Sequence, residues 1–401
     1  MTKRPQSPAF DPPLRNERLA TLLKQFPEPL FGDRLYRSIE LLERYSIDAA
    51  IDVLTRLEIL DHLTEWRSAA NLCELLSFQP RFTFALNWLL QRVIETGCLE
   101  TQRDGGEAAP RYRLRGLPWL PDLNHLRAIG LDIDPVNAPT LALLETAARL
   151  YPAVARGEQS GEQALFGTEG IPLWLNYFSN KNPTYAVNNW VAAIAATSAI
   201  QQHGKLRVLE LGAGAGSASE ILLRCLDQAN LLPKLENYLI TEPNAFFLRR
   251  GQRELSSKYP HLPLKWRALD INEAWPEQGI APGEFDLILG VNVLHVANDL
   301  LRATRQAREA LAGNGWLVIG ECVRPHSHQP IYVELIFQLL DSFTSVLIDP
   351  DIRPNPGFLT AEQWQRVFAC ADFTRTEVTP DIDRIRDIYP HFFTAAISGQ
   401  K

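Results

Sequence analysis

The run Glu210-Leu-Gly-Ala-Gly-Ala-Gly216 constrains the fold of this chain more than any other stretch, because of what flanks it. Before it, Arg207-Val-Leu-Glu-Leu211 is an apolar stretch of the kind that forms a buried parallel strand. After it, Ser217 to Leu226 reads as a helix, with small residues first and Ile221, Leu222, Leu223 and Leu226 on its apolar side. A strand, a glycine turn and a helix in this order make a nucleotide cradle, since glycines let the backbone turn tightly and approach a ligand closely. Dinucleotide-binding turns space their glycines as G-x-G-x-x-G, the third packing helix on strand beneath a pyrophosphate. Here the glycines alternate strictly and Glu210 stands at the strand end, which suits a cationic amino-acid ligand rather than a diphosphate.

Further strand patterns follow downstream. Tyr238-Leu-Ile-Thr-Glu-Pro243 reads as a second strand ending in an acid, and Trp266-Arg-Ala-Leu-Asp-Ile271 as a third. Phe285 to His295 reads as the fourth strand and its exit loop. Gly315-Trp-Leu-Val-Ile-Gly-Glu321 reads as the fifth, after a helix whose C-cap is predicted at Gly313-Asn-Gly315. A solvated strand-end carboxylate explains any one of these acids, but not the ordered set. The pattern resembles the class I S-adenosylmethionine (SAM) methyltransferases. That resemblance implies an α/β fold, a Rossmann-like doubly wound sheet, with SAM as cofactor. It places Gly212, Gly214 and Gly216 under the methionine part of SAM, with Glu210 ordering that end of the pocket. Glu242 then accepts from the ribose hydroxyls, Asp270 and its neighbour Ile271 meet the adenine, and Asn292 completes the cofactor set.

Composition agrees. A length of 401 residues suffices for two domains, and 46% hydrophobic with 22% charged residues describes an ordinary globular protein. No apolar run approaches the ~20 residues of a membrane span, and the opening Met-Thr-Lys-Arg-Pro-Gln-Ser-Pro lacks a signal-peptide core. Five scattered cysteines (73, 98, 225, 322 and 370) fit a reducing, cytoplasmic setting better than a disulfide framework. A net charge of −7 disfavours a nucleic-acid partner.

The expected organisation is a Pro-rich flexible arm at 1–16, a winged-helix-like domain at 17–120, a helical connector or lid at 121–200 and the SAM-binding catalytic domain at 201–401. In the second segment, Tyr45 to Leu60, Ala69 to Leu76 and Arg81 to Gly97 carry helical patterns. Two strands then flank Asp104-Gly-Gly106, a hairpin turn. The helix from Arg81 to Glu95 has two arginines on an otherwise apolar surface, which makes a poor phosphate or base reader. Burial against another helix or a second subunit explains it better. This region resembles the N-terminal dimerisation domain of small-molecule O-methyltransferases, which implies a homodimer and a role in closing the substrate pocket. Of the aromatic group Trp174, Tyr177, Phe178, Tyr185 and Trp190, Tyr177 is the candidate to face cofactor or substrate, and core packing accounts for the others.

The chemistry belongs at the strand ends. His295 stands just past the fourth strand in Asn292-Val-Leu-His-Val-Ala-Asn-Asp299, and imidazole titrates near working pH, so it suits a general base. Glu321, ending the fifth strand, suits the group that holds the second ring nitrogen. Asn292 to His295, Asp299-Leu300 and Glu321 resemble the C-methyltransferase domains of polyketide synthases, as do the tail stretches Tyr332 to Phe343 and Phe358 to Trp364. The resemblance implies a small-molecule or carrier-protein-bound acyl substrate methylated at an enolisable carbon. O-methyltransferases also place a histidine base in this loop, followed by aspartate and tryptophan, where this chain has Val296 and Ala297. Methylation of a phenol or hydroxyl therefore stays open, as does a SAM-binding enzyme that does not transfer the methyl. His326-Ser-His328 lacks zinc spacing and reads as a polar loop, so no metal is expected.

Overall fold

The computed structural model describes residue 26, residues 32–103 and residues 109–401 of the protein. The expected arm at 1–16 and the hairpin turn at Asp104-Gly-Gly106 lie outside those residues. The described chain divides into two units, one of Asp33–Tyr177 with His326–Thr344, the other of Phe178–Pro325 with Ser345–Lys401.

In the first unit, α1 (Asp33–Arg56) buries Leu35, Ile39, Leu42, Ala49 and Val53 at helical spacing. Strand β1 (Arg67–Ser68) leads into α2 (Ala69–Leu75), where the Ser68 hydroxyl accepts from the Asn71 amide at 3.2 Å, a cap that contributes ~1 kcal/mol. Helix α3 (Phe82–Ile94) follows, then β2 (Leu99–Gln102) and β3 (Arg111–Leu114), antiparallel in a sheet of order β1-β3-β2. Helices α4 (Leu123–Ile133), α5 (Ala138–Arg156), α6 (Gly161–Leu165) and α7 (Gly170–Tyr177) complete the described run.

Most of the apolar surface of α3 is used inside this unit, with Leu86, Trp88, Leu89, Leu90 and Val93 all buried, while Phe84 stays exposed. Its Arg92 is also fully buried, ion-paired to Glu43 of α1, and donates to the Pro330 carbonyl at 2.9 Å and to Glu95 at 2.7 Å. Glu43 in turn accepts from the Tyr332 amide at 3.0 Å. Helices α1 and α3 and the 330–332 segment thus share one buried charge cluster. A guanidinium enclosed in this way cannot reach a phosphate.

The second unit opens with α8 (Pro183–Ala199), then β4 (Leu206–Leu211), α9 (Ser217–Gln228), β5 (Leu235–Thr241), α10 (Ala245–Lys258), β6 (Leu264–Arg267) and β7 (Phe285–Val291). It continues through α11 (Leu300–Ala310), β8 (Leu311–Cys322), α12 (Ala361–Cys370), β9 (Thr374–Thr379), α13 (Ile382–Arg386) and β10 (Thr394–Gln400). Among the described residues these strands form a seven-stranded sheet of order β6-β5-β4-β7-β8-β10-β9. The first five run parallel, while β10 is antiparallel to both neighbours. This is a Rossmann-like α/β sheet, and the strand order reverses between β4 and β7, where such a sheet opens a crevice for its ligand. Helix α8 lies close on β8 because Gly320 has no side chain: a Cβ there would meet Ala192 Cβ at 2.6 Å.

Two element boundaries differ from the expectation. Strand β6 ends at Arg267, which pairs with Thr241. Because β5 itself stops at Thr241, nothing remains for residues 268–271 to pair with, and Asp270 lies in a loop. Helix α11 ends at Ala310, and Leu311 is already extended and paired with Phe285. Pairing resumes at Leu287 with Trp316, so Gly313-Asn-Gly315 belongs to a bulge within β8 and not to a helix cap.

Candidate active site

The turn after β4 holds Gly212, Gly214 and Gly216 at φ of +57°, +54° and +87°, the left-handed region that favours glycine. A Cβ on Gly212 would meet Val293 Cγ2 at 2.0 Å, and one on Gly216 would meet Leu255 Cδ1 at 2.6 Å, so packing as well as conformation excludes side chains. Above Gly214 a Cβ would meet nothing within 4 Å. The turn is pinned from beside and leaves open space over its middle glycine.

Glu242 connects this turn to the end of β5. Its Oε2 accepts from the Gly214 amide and its Oε1 from the Asn244 amide, both at 2.9 Å. Burial pushes its pKa up against the pull of those two amides. Each carboxylate oxygen keeps further acceptor capacity for a ligand hydroxyl. Glu210 faces inward instead. It is 1% exposed, and its Oε2 accepts from Ser219 Oγ at 2.6 Å and from the Tyr238 hydroxyl. Burial raises its pKa to about 7 against those hydrogen bonds.

Asp270 is exposed, with its Oδ1 accepting from the Asn272 amide at 2.9 Å and its backbone paired to the Gln278 side chain, while Ile271 beside it is buried. Asn292, at φ +52°, has its side-chain oxygen accepting from the Cys322 amide at 3.0 Å, which ties the end of β7 to the end of β8.

His295 sits in the short helical turn Leu294–Val296 after β7, 2% exposed. Its Nδ1 lies 2.7 Å from Glu321 Oε2, and the other carboxylate oxygen accepts from the Val293 and Leu294 amides at 3.2 and 3.1 Å. These partners of Glu321 all come from one loop, so the carboxylate fixes the loop and the ring together. In the neutral ring this contact puts the proton on Nδ1 and makes Nε2 the basic nitrogen. The Phe358 ring stands 4.4 Å from the imidazole, and Arg353 donates to the backbone of the same turn.

The glycines, Glu210, Glu242, Asn292, His295 and Glu321 therefore lie on the carboxyl ends of β4, β5, β7 and β8 or the loops leaving them. Tyr177 belongs to the first unit, where it packs edge-on against Trp174 at 5.9 Å. A cleft of 640 Å³ at the opposite end of β8 and β10, bounded by Trp316, Gln400, His203 and Arg375, holds none of these residues. Among the described residues no cluster of three or more His, Cys, Asp or Glu is arranged to hold a metal ion. Sequence reasoning missed Ser219, Tyr238, Arg353 and Phe358. Tyr238 reads only as a strand residue, and Arg353 lies in a Pro-rich tail that carries no motif.

A seven-stranded sheet with a glycine turn at its switch point and acids at the neighbouring strand ends defines the class I SAM-dependent methyltransferase fold. Residues 209–317 match the family described as a methyltransferase domain. Among curated proteins it is 28% identical over 240 residues to polyketide synthase PksR of Bacillus subtilis (strain 168), covering 58% of this chain and 9% of that protein. It is 28% identical over 358 residues to the highly reducing polyketide synthase ALT1 of Alternaria alternata, covering 88% and 12%. The chain thus spans only about a tenth of the length of these relatives. Among solved structures, the CurJ carbon methyltransferase matches with a TM-score of 0.77 at 23% identity over 96% of both chains. The trans-methyltransferase CalH in complex with SAH matches at 0.61 and 19% identity over 94% of both. These structural likenesses show the fold.

Proposed function

We propose that this chain methylates an enolisable carbon of a polyketide-like acyl substrate, with His295 as general base and Glu321 holding it. The observation that carries this reading is the buried 2.7 Å contact between His295 Nδ1 and Glu321 on adjacent strand ends, beside the glycine turn. The polyketide synthases among its relatives and the carbon methyltransferases among its structural matches support the acceptor class.

The residues present fit SAM. The open space over Gly214 leaves room for a ligand to approach the backbone, and Glu242 stands beside that turn with acceptor capacity to spare. Gly212, Gly214, Gly216, Glu242, Asp270, Ile271 and Asn292 would hold it, while Glu210, turned inward to Ser219 and Tyr238, would act on it from behind the turn through its charge. When bound, SAM supplies an electrophilic methyl on a sulfonium, whose bonding pair stays with sulfur. His295 Nε2 takes the proton from a carbon between two carbonyls and leaves an enolate, whose carbon forms the new bond to the methyl. Glu321 stabilises the imidazolium until the proton passes to solvent. The near-complete burial of both groups keeps bulk water off the dyad during proton removal, and the proton leaves once product departs and the site opens to solvent.

Delivery of the substrate on a carrier protein, and dimerisation through residues 17–120, belong to the same proposal. Phe84 and Leu75, 46% and 49% exposed, are apolar surface that a second copy would cover. The test is incubation with methyl-labelled SAM, a β-ketoacyl thioester and a phenol, read by mass spectrometry. Label on the thioester carbon supports the proposal. Label on the phenolic oxygen replaces it with O-methylation, and turnover of either acceptor without release of S-adenosylhomocysteine replaces it with chemistry that keeps the methyl on SAM.

A further inference from the structure

We infer that Arg353 is a positioning residue for methyl transfer, holding the loop that carries His295 in place against Glu321. The inference rests on the assignment of His295 as base. Arg353 is 1% exposed, and its guanidinium donates to the His295 carbonyl and, at 2.7 Å, to the Ala297 carbonyl. One planar fork thus closes on the middle of the turn and the residue that ends it. Arginine suits two carbonyls at a fixed spacing, whereas a lysine ammonium is a point charge with no such geometry. Without these donors the loop would bury both carbonyls with those hydrogen bonds unmade.

The backbone that carries Arg353 is braced before its side chain reaches out. Asp349 and Arg353 exchange two backbone hydrogen bonds, at 2.7 and 3.1 Å. The Asp349 side chain accepts from the Asp351 and Ile352 amides, and Arg366 of α12 donates to the Asp351 carbonyl at 2.9 Å. Pro350, Pro354 and Pro356 restrict the same stretch. Two further contacts lay it against the catalytic loop: the Leu347 amide donates to the Asn298 carbonyl at 2.8 Å, and the Phe358 ring meets the imidazole.

Charge adds a second reason for arginine. Glu321 is completely buried, and its direct partners are His295 and two amides. Among the described residues Arg353 has no carboxylate in direct contact and its Nε–H is buried without a hydrogen bond; Glu321 is the acid that acts on it through space. A buried cation is tolerated where a buried anion offsets it.

The test compares Arg353→Lys and Arg353→Gln with wild type and His295→Ala in the full chain. Measured are kcat, KM for a β-ketoacyl thioester, SAM affinity by calorimetry, and deuterium exchange at the acceptor carbon above the uncatalysed rate. The expected result is a ~10- to 100-fold fall in kcat and in exchange for the two Arg353 variants, the lysine losing less, while SAM affinity of the folded protein stays at the wild-type value. Wild-type exchange in the folded variants would overturn the inference, as would a loss of turnover that only follows the unfolded fraction. If Arg353→Gln does not fold, Arg353→Lys, which keeps the charge, decides the matter. An active His295→Ala would instead remove the assignment of the base. An inactive His295→Ala beside active Arg353 variants would remove only the role of Arg353.

Discussion

Replacing Glu210 by glutamine should convert a pH-dependent fold into one less dependent on pH. The Glu210 carboxyl is 1% exposed and accepts from Ser219 and Tyr238. Burial lifts its pKa from the ordinary 4.5 to about 7. Between these values the folded protein holds a proton that the unfolded chain gives up. The stabilisation this brings is complete below about 4.5 and is lost as pH rises through about 7. At ~1.4 kcal/mol per pKa unit, the shift amounts to about 3 kcal/mol. Glutamine keeps an acceptor for both hydroxyls and has no proton to lose. The amide group facing Ser219 changes the variant's stability by a constant offset, so the informative quantity is the difference between variant and wild type as a function of pH. Urea unfolding followed by tryptophan fluorescence, without SAM, at pH 5, 6, 7 and 8 should show that difference moving about 3 kcal/mol in favour of the variant. The other titrating groups are common to both proteins and cancel. Parallel stability curves would refute the assignment of a raised pKa to Glu210. With SAM present, wild-type affinity should strengthen as pH rises through about 7, because the ionised carboxylate favours a cationic ligand, and in the variant this dependence should vanish.

His295→Ala should cut methyl transfer ~100-fold or more while calorimetric SAM affinity stays close to wild type; equal loss of both would make the histidine structural. Alanine at Gly212 or at Gly214 carries the strain of a side chain at positive φ, ~1 kcal/mol or more. Gly212→Ala should cost more, ~2–3 kcal/mol, because its Cβ would also stand 2.0 Å from Val293, whereas Gly214→Ala, with nothing within 4 Å, should cost only the backbone strain and lose chiefly SAM affinity. Thermal melting together with SAM titration separates the two. Arg92→Met should cost ~3–5 kcal/mol by leaving Glu43 buried and unpaired, and the double variant Arg92→Met with Glu43→Leu should recover part of it in denaturant unfolding.

The sheet was legible because its central strands carry their own signal. A parallel strand buried on both faces is a nearly continuous apolar run, as in Phe285–Val291, and a glycine turn that must take positive φ declares itself by composition. The acids at strand ends follow from the same local order. The limits of the sequence lie where pairing ends. Nothing between Trp266 and Ile271 says that the neighbouring strand stops at Thr241, yet that stop leaves Asp270 in a loop. Gly313-Asn-Gly315 has the composition of a helix cap, but the partner strand makes it a bulge.

The class of fold, the glycine turn and the identity of the residues at the switch point are therefore written in the chain alone, since each depends on neighbours along it. Tertiary structure decided which groups touch. Glu210 turned inward to Ser219 and Tyr238, Asn292 spanned to Cys322, and Arg353 reached back across 58 residues of chain to the carbonyl of His295. Such contacts join residues whose spacing in the chain carries no period and no motif, and only packing brings them within hydrogen-bonding distance.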